Sequence, residues 1–255
     1  MYPTTQQNSI PRSLCSHQKF DVAVTPVDPP DSFRAETVLF DLDGTLTDSA
    51  PGIRAGFRHA LAHIGEPEPT ADMLSTVIGP PLLESFLSLG LNETRAARAV
   101  DSYRQRYGER GWAENSVFDG MDAVLSCLKD AGVIMAVATS KTELTAHRIL
   151  EHFGLSKYFD FIAGSDGSRQ SKSDVIARAL TETSTTPIAQ AAGGTPGVAM
   201  VGDRIHDVDG AAQWGIPTVF VEWGYGLPAE NLGARWIASS VPELGALLTT
   251  LTDGT

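Results

Sequence analysis

Apolar positions along this chain follow two rhythms. Short, mostly apolar runs, the mark of strands buried on both faces, lie at 38–41 (closing on Asp41), 133–138, 198–201 and 216–221, with weaker ones at 158–163 and 236–238. Between them apolar residues recur every three to four positions, the period of an amphipathic helix. Ile53, Phe57, Ala60, Leu61 and Ile64 predict a helix that opens at Pro51, a residue suited to a first helical turn, and ends at Gly65. Leu82, Leu83, Phe86, Leu87 and Leu89 predict a second, introduced by Pro80 and Pro81 and stopped by Gly90. Asn92 is a good N-cap, with Glu93 in the first turn, for a third helix carrying Ala96, Ala97, Val100, Tyr103 and Tyr107 as far as Gly111. Residues 52–117 therefore predict an all-helical insert without a strand. Beyond it, helices at 120–131, 142–153, 171–182, 207–214 and 242–251 alternate with the apolar runs. That alternation predicts a parallel sheet covered by helices on both faces, interrupted once by the helical insert directly after the first strand.

Two stretches have neither rhythm. Residues 1–34 are rich in Pro, Thr, Ser, Gln and Asp, and read as a largely disordered tail. Residues 184–197 (STTPIAQAAGGTPG) read as a flexible surface loop, a tolerated insertion. Composition narrows the class further. The apolar fraction, 42%, is that of a globular protein, and no apolar run is long enough to span a membrane. The first residues lack the apolar segment of a signal peptide. Cys15 and Cys127 cannot make a disulfide framework, which fits a reducing, cytoplasmic setting. A net charge of −12 argues against nucleic-acid polymers and anionic membranes as partners; a small anionic metabolite needs only a local concentration of cations. A monomer or a homodimer is the expected assembly.

The candidate chemistry gathers at the strand ends. In an open parallel sheet, ligands bind beyond the carboxyl ends of the strands. Asp41 and Asp43 follow the first run, Thr139 and Ser140 the second, and Asp203 and Asp207 the fourth, while Lys172 opens the helix after the third. Two acids at the end of a buried strand are costly unless neutralised, and a hard cation held by oxygens would do this. Three or more acids, a hydroxyl and a lysine at one edge make a metal-plus-phosphate constellation. Other candidates are weaker. His59 and His63 lie one helical turn apart with no evident third ligand, and Arg54 and Arg58 read as a solvated face or, second to that, as contacts for a substrate anion. Asp48 and Ser49 read as helix-start residues. Trp223 and Tyr225 read as core or edge packing or as a substrate wall.

These residues carry a resemblance. Asp41-Leu42-Asp43-Gly44-Thr45 resembles the first motif of the haloacid-dehalogenase-like phosphohydrolase superfamily, Val137-Ala138-Thr139-Ser140 its second, Lys172 the lysine of its third, and Gly202-Asp203-Arg204-Ile205-His206-Asp207 its fourth. All four occur in the family's order, over about residues 36–240. The IGPPLL run at 78–83, the turn at Thr139 to Lys141 and Trp223-Gly224-Tyr225-Gly226 resemble the phosphoglycolate phosphatase and 5'-nucleotidase branch. The resemblance implies an α/β fold: a Rossmann-like three-layer core with a parallel sheet (35–51 and 118–255), plus a small all-helical cap (52–117) inserted after the first strand. It implies Asp41 as nucleophile and Asp43 as general acid and base. Thr139, Ser140 and Lys172 would bind phosphate. Mg²⁺ would sit on Asp41, the backbone carbonyl of Asp43 and Asp203, with Asp207 bound directly, through water, or ordering Lys172. The implied activity is phosphomonoester hydrolysis of a small phosphorylated metabolite, phosphoglycolate or a nucleoside 5'-monophosphate, with a phosphosugar mutase, a dehalogenase or a non-catalytic protein as rivals. One departure stands out: Ser173 follows Lys172 where this branch usually has Pro, and Lys141, otherwise a solvated turn residue, rivals Lys172 for the phosphate.

Overall fold

The computed structural model of the chain describes residues 33–78, 82–166 and 171–253. Most of the expected tail, Cys15 and the Pro80-Pro81 helix start lie outside the described residues. In chain order the elements are β1 (Thr37–Phe40), β2 (Thr47–Asp48), α1 (Ala50–His63), α2 (Ala71–Thr76), α3 (Leu82–Ser88), α4 (Glu93–Glu109), β3 (Ser116–Val117), α5 (Met121–Asp130), β4 (Ile134–Thr142), α6 (Glu143–His152), β5 (Phe161–Ser165), α7 (Lys172–Glu182), β6 (Val198–Gly202), α8 (Ile205–Ala212), β7 (Thr218–Val221), β8 (Trp236–Ala238) and α9 (Val241–Asp253).

Six strands form one parallel sheet in the order β5-β4-β1-β6-β7-β8, which places β1 centrally. Alternation along each strand fills two layers. Val38 and Phe40 of β1, Met135 and Val137 of β4, and Ala199 and Val201 of β6 meet α5, α6 and α9 through Leu125, Ile149 and Leu248. Leu39, Ala136, Ala138 and Met200 face the other way, onto Val175, Ile176 and Leu180 of α7 and Ala211 of α8. Both faces are apolar because both are covered, which is why the strands read as continuous runs.

The helical insert has its own core. Phe57 of α1 and Phe86 of α3 pack at 4.5 Å between ring centroids, tilted by 34°, with Leu61, Leu74, Ala96 and Val100 around them. Gly56 lets Tyr103 of α4 close on α1, since a Cβ there would lie 2.6 Å from the ring. Two features correct the sequence reading. The insert does contain a strand: β3 pairs antiparallel with β2, Thr47 opposite Val117, tying the chain's way into the helices to its way out. And α2, which the spacing did not predict, is started by Thr70, whose side chain accepts from the Met73 N–H.

The 184–197 segment is also better anchored than a flexible insertion. The buried Thr195 exchanges hydrogen bonds with the backbone of Ile188, and its own N–H donates to Trp214. Gln190 donates to the Gln213 carbonyl. Among the described residues, no helix is long and apolar enough to cross a membrane.

Candidate active site

Sheet register builds the site. Phe40 pairs with Val137 on one side and Val201 on the other, so Asp41, Ala138 and Gly202 emerge together at the carboxyl edge. The Asp41 N–H continues the ladder to the Val201 carbonyl. Leu42 and Leu46, both fully buried, plug the following turn into the core. Gly44 permits that turn: its φ is +80°, and a Cβ would come within 2.3 Å of Asp203 Oδ2.

The centre of the site is three buried carboxylates and one buried ammonium. Oxygens of Asp41, Asp203 and Asp207 all lie within 4.8 Å of one another. Lys172 Nζ donates to Asp41 Oδ1 at 2.7 Å and to the Ala138 carbonyl at 2.9 Å. It lies 2.8 Å from Asp207 Oδ1 as an ion pair, without the alignment of a hydrogen bond. Asp203 is held from both sides: Oδ1 accepts from Thr45 Oγ1 and Oδ2 from the Tyr225 N–H at 2.7 Å. Asp207 Oδ2 caps α8 by accepting the Arg204 N–H.

The charges do not balance. Burial, reinforced by neighbouring carboxylates and only partly offset by Lys172, pushes the Asp41 carboxyl up to about 6. Burial, with Asp207 and Asp41, pushes Asp203 up to about 8. Burial works against the Lys172 ammonium too, yet Asp207 and Asp41 outweigh it and hold its pKa above the ordinary lysine value. One cation facing three carboxylates leaves an excess of buried negative charge, and an all-oxygen donor set of this kind fits a hard divalent cation.

Asp43 stands outside that cluster. Its Oδ2 lies 3.1 Å from Lys141 Nζ, while its Oδ1 is buried and without a hydrogen-bond partner among the described residues. Lys141 in turn donates to the Tyr107 hydroxyl of α4 at 2.8 Å. Burial opposes the Lys141 charge as well, and Asp43 and Tyr107 overcome it, raising its pKa.

The predicted residues thus converge unequally. Asp41, Lys172, Asp203 and Asp207 touch or nearly touch. Thr139 is buried where β4 loses register, next in sequence to the Ala138 carbonyl that Lys172 bonds, its Oγ1 accepting the Lys141 N–H, whereas Ser140 is exposed. Ser173 leaves Lys172 in reach of Asp41; its carbonyl accepts from Trp214 Nε1. Lys141 is no solvated turn residue: its side chain is only 13% exposed. His59 and His63 remain on the surface, as do Arg54 and Arg58, the latter paired with Glu68. Trp223 and Tyr225, both partly exposed, brace the site. Trp223 Nε1 donates to the Thr45 carbonyl, and Tyr225 Oη bonds Asp48 Oδ1 and accepts the Ala50 N–H. Asp48, read as a helix-start residue, thereby joins α1 to the Asp203 loop. The sequence reading named Gly224 and Gly226 only as part of a resembling run and gave them no role; a Cβ at these positions would strike the Asp203 side chain and carbonyl. Their signal was present: two glycines in four residues just past a strand mark close backbone approach.

Comparison with known proteins agrees with this geometry. The family model described as haloacid dehalogenase-like hydrolase matches residues 38–221. The tyrosine-protein kinase PtkA of Mycobacterium tuberculosis is 53% identical over 193 residues, 75% of this chain; the match spans only 63% of that relative's length. Its solved structure superposes with a TM-score of 0.71 at 48% identity, covering 86% of this chain and 99% of that one. A 5'-nucleotidase of Pseudomonas aeruginosa is 39% identical over 85% of this chain and 95% of its own. A plasmid-encoded phosphoglycolate phosphatase of Cupriavidus necator is 33% identical over 86% and 95%.

Proposed function

The chain belongs to the haloacid dehalogenase-like hydrolase family, and we propose that it is a Mg²⁺-dependent phosphomonoester hydrolase of small phosphorylated metabolites, working through an aspartyl-phosphate on Asp41. The observation that carries this reading is the division of the two acids. Asp41 lies inside the carboxylate cluster with Lys172 on Oδ1, while the Asp43 carboxylate stands apart with Oδ1 unengaged. A nucleophile needs the first setting and a proton carrier the second.

Bound to Asp41, Asp203, Asp207 and the Asp43 carbonyl, Mg²⁺ would supply positive charge against the phosphoryl oxygens. The chain's own groups do the rest. Asp41 attacks phosphorus. Lys172 and the strand-end backbone beside Thr139 offset the charge of the equatorial oxygens. Asp43 gives a proton to the departing oxygen, then takes one from the water that hydrolyses the intermediate; such help is worth roughly 10²–10⁴-fold. The helical insert acts as a cap that covers the site and selects the substrate. The identities to a 5'-nucleotidase and a phosphoglycolate phosphatase support nucleoside 5'-monophosphates and phosphoglycolate as the first substrates to try.

The 53% identity to a tyrosine-protein kinase supports a second reading, in which the Asp41 phosphoryl group passes to a tyrosine hydroxyl instead of water. One experiment separates them. Phosphate release is measured over phosphoglycolate, nucleotides and sugar phosphates with Mg²⁺ and with EDTA, alongside phosphoryl transfer from ATP to tyrosine-containing polypeptides. Mg²⁺-dependent release from a small ester supports the hydrolase; transfer from ATP without such release overturns it.

A further inference from the structure

Lys141 and Tyr107 have no part in the reaction described so far, yet the half-buried Lys141 pairs with Asp43 and the buried Tyr107 accepts a hydrogen bond from Lys141. Lys141 reaches Asp43 because β4 loses register after Ala138, resuming only at Thr142 opposite Ser165. The Lys141 N–H is pinned to Thr139 Oγ1, and Nζ lies 3.1 Å from Asp43 Oδ2, 2.8 Å from Tyr107 Oη and 4.7 Å from the centre of the Tyr107 ring. Tyr107 belongs to the helical insert. Its ring stacks on Tyr103 at 5.5 Å and 10°, and Tyr103 packs edge-on against Phe57 in that insert's core. A continuous line of contacts thus runs from the insert's core, through one lysine, to one oxygen of Asp43. The other oxygen of Asp43 is buried without a hydrogen-bond partner among the described residues.

We infer that Lys141 and Tyr107 are positioning residues that anchor Asp43 by Oδ2 so that Oδ1 faces the leaving oxygen, and that this anchoring exists only while α4 lies against the end of β4. The inference rests on the hydrolase reading. A carboxyl group held at one oxygen has the direction of the other set for it, and proton transfer requires the heavy atoms to be within about 2.6–3.2 Å. In the step concerned, the bond between phosphorus and the leaving oxygen breaks as the Asp43 carboxyl proton passes to that oxygen. An alcohol departs and Asp43 is left as carboxylate. With α4 withdrawn, Lys141 loses its hydrogen-bond acceptor and Asp43 its fixed bearing, so the acid is aligned only under a closed insert.

Leaving-group dependence tests this. An aryl phosphate departs with little need of a proton; an alkyl phosphate depends on one. In Tyr107→Phe and Lys141→Met, kcat/KM for an alkyl phosphate should fall at least tenfold further than for p-nitrophenyl phosphate, the pattern expected of Asp43→Asn. Lys141→Arg should recover part of the alkyl activity. Tyr107→Phe keeps the ring and its packing, so it remains informative if Lys141→Met does not fold. Equal losses on both esters, or none, from an active wild type overturn the inference alone. A wild type inert to both overturns the hydrolase reading and the inference with it.

Discussion

Two lysine–aspartate pairs meet the same turn, two residues apart, and they are built from different parts of the molecule. Lys172 and Asp41 are both supplied by the sheet layer, one from the first turn of α7 and one from the end of β1, and both side chains are nearly sealed. Lys141 and Asp43 retain 13% and 23% exposure, and their third member, Tyr107, comes from the helical insert. The inner pair therefore depends on the core alone, while the outer pair depends on how the insert lies upon it. The same two residue types give a fixed electrostatic centre in one case and a geometry conditional on a second layer in the other.

The largest effect that would sharpen this contrast is loss of the inner cation. Lys172→Met leaves Asp41 and Asp207 buried without their ammonium, and breaking a buried pair costs about 3–5 kcal/mol. Chemical denaturation should show that loss, with turnover down by roughly 10²–10³-fold or more. The outer cation, being partly hydrated, should cost far less stability in Lys141→Met, on the order of 1 kcal/mol. Equal stability losses would erase the distinction.

Gly224→Ala ranks next. A Cβ there would lie 2.3 Å from the Asp203 Cβ, so the loop or the carboxylate must shift; overpacking of this kind costs about 1–3 kcal/mol. Weakened Mg²⁺ binding in a calorimetric titration is the expected mark.

A third effect is one of pH. Asp41 and Asp203 hold protons more tightly folded than unfolded, with raised values of about 6 and about 8 against an ordinary 3.8. Between those limits the folded protein binds the more protons, so without metal its stability should fall as pH rises from about 4 to about 8. Thermal melts across that window should show the decline, and added Mg²⁺ should offset it most at the upper end. Asp203→Asn should flatten the slope and lose much of the Mg²⁺ gain. The smallest change is Tyr225→Phe, which removes the hydroxyl bonds to Asp48 and Ala50 and should cost about 1 kcal/mol by denaturation.

The sheet and its ordered acids were legible because a strand buried on both faces is one apolar run, and a polar residue that ends it abruptly marks the carboxyl edge. Asp41, Thr139 and Asp203 could be located that way before any coordinates were known. Lys141 could not. Its side-chain direction follows from a loss of register in β4, and the Thr139 to Thr142 stretch is polar enough to read as a turn. The β2–β3 ribbon escaped because two residues per strand are too few to show a period. In α2, six residues with one buried apolar position gave no helical face, though Thr70 offered a cap. The 184–197 segment misled in the opposite sense: its composition suggested freedom, and specific bonds at Thr195 and Gln190 removed it.

The central claim is that Asp41, and not Asp43, becomes phosphorylated. Acid-quenched turnover of a small phosphate ester, followed by peptide mass spectrometry, tests it most directly. The account predicts a single phosphoryl adduct on Asp41 in the wild type, accumulating in Asp43→Asn and absent in Asp41→Asn together with activity. Wild-type turnover in Asp41→Asn, or an adduct on another residue, would contradict it.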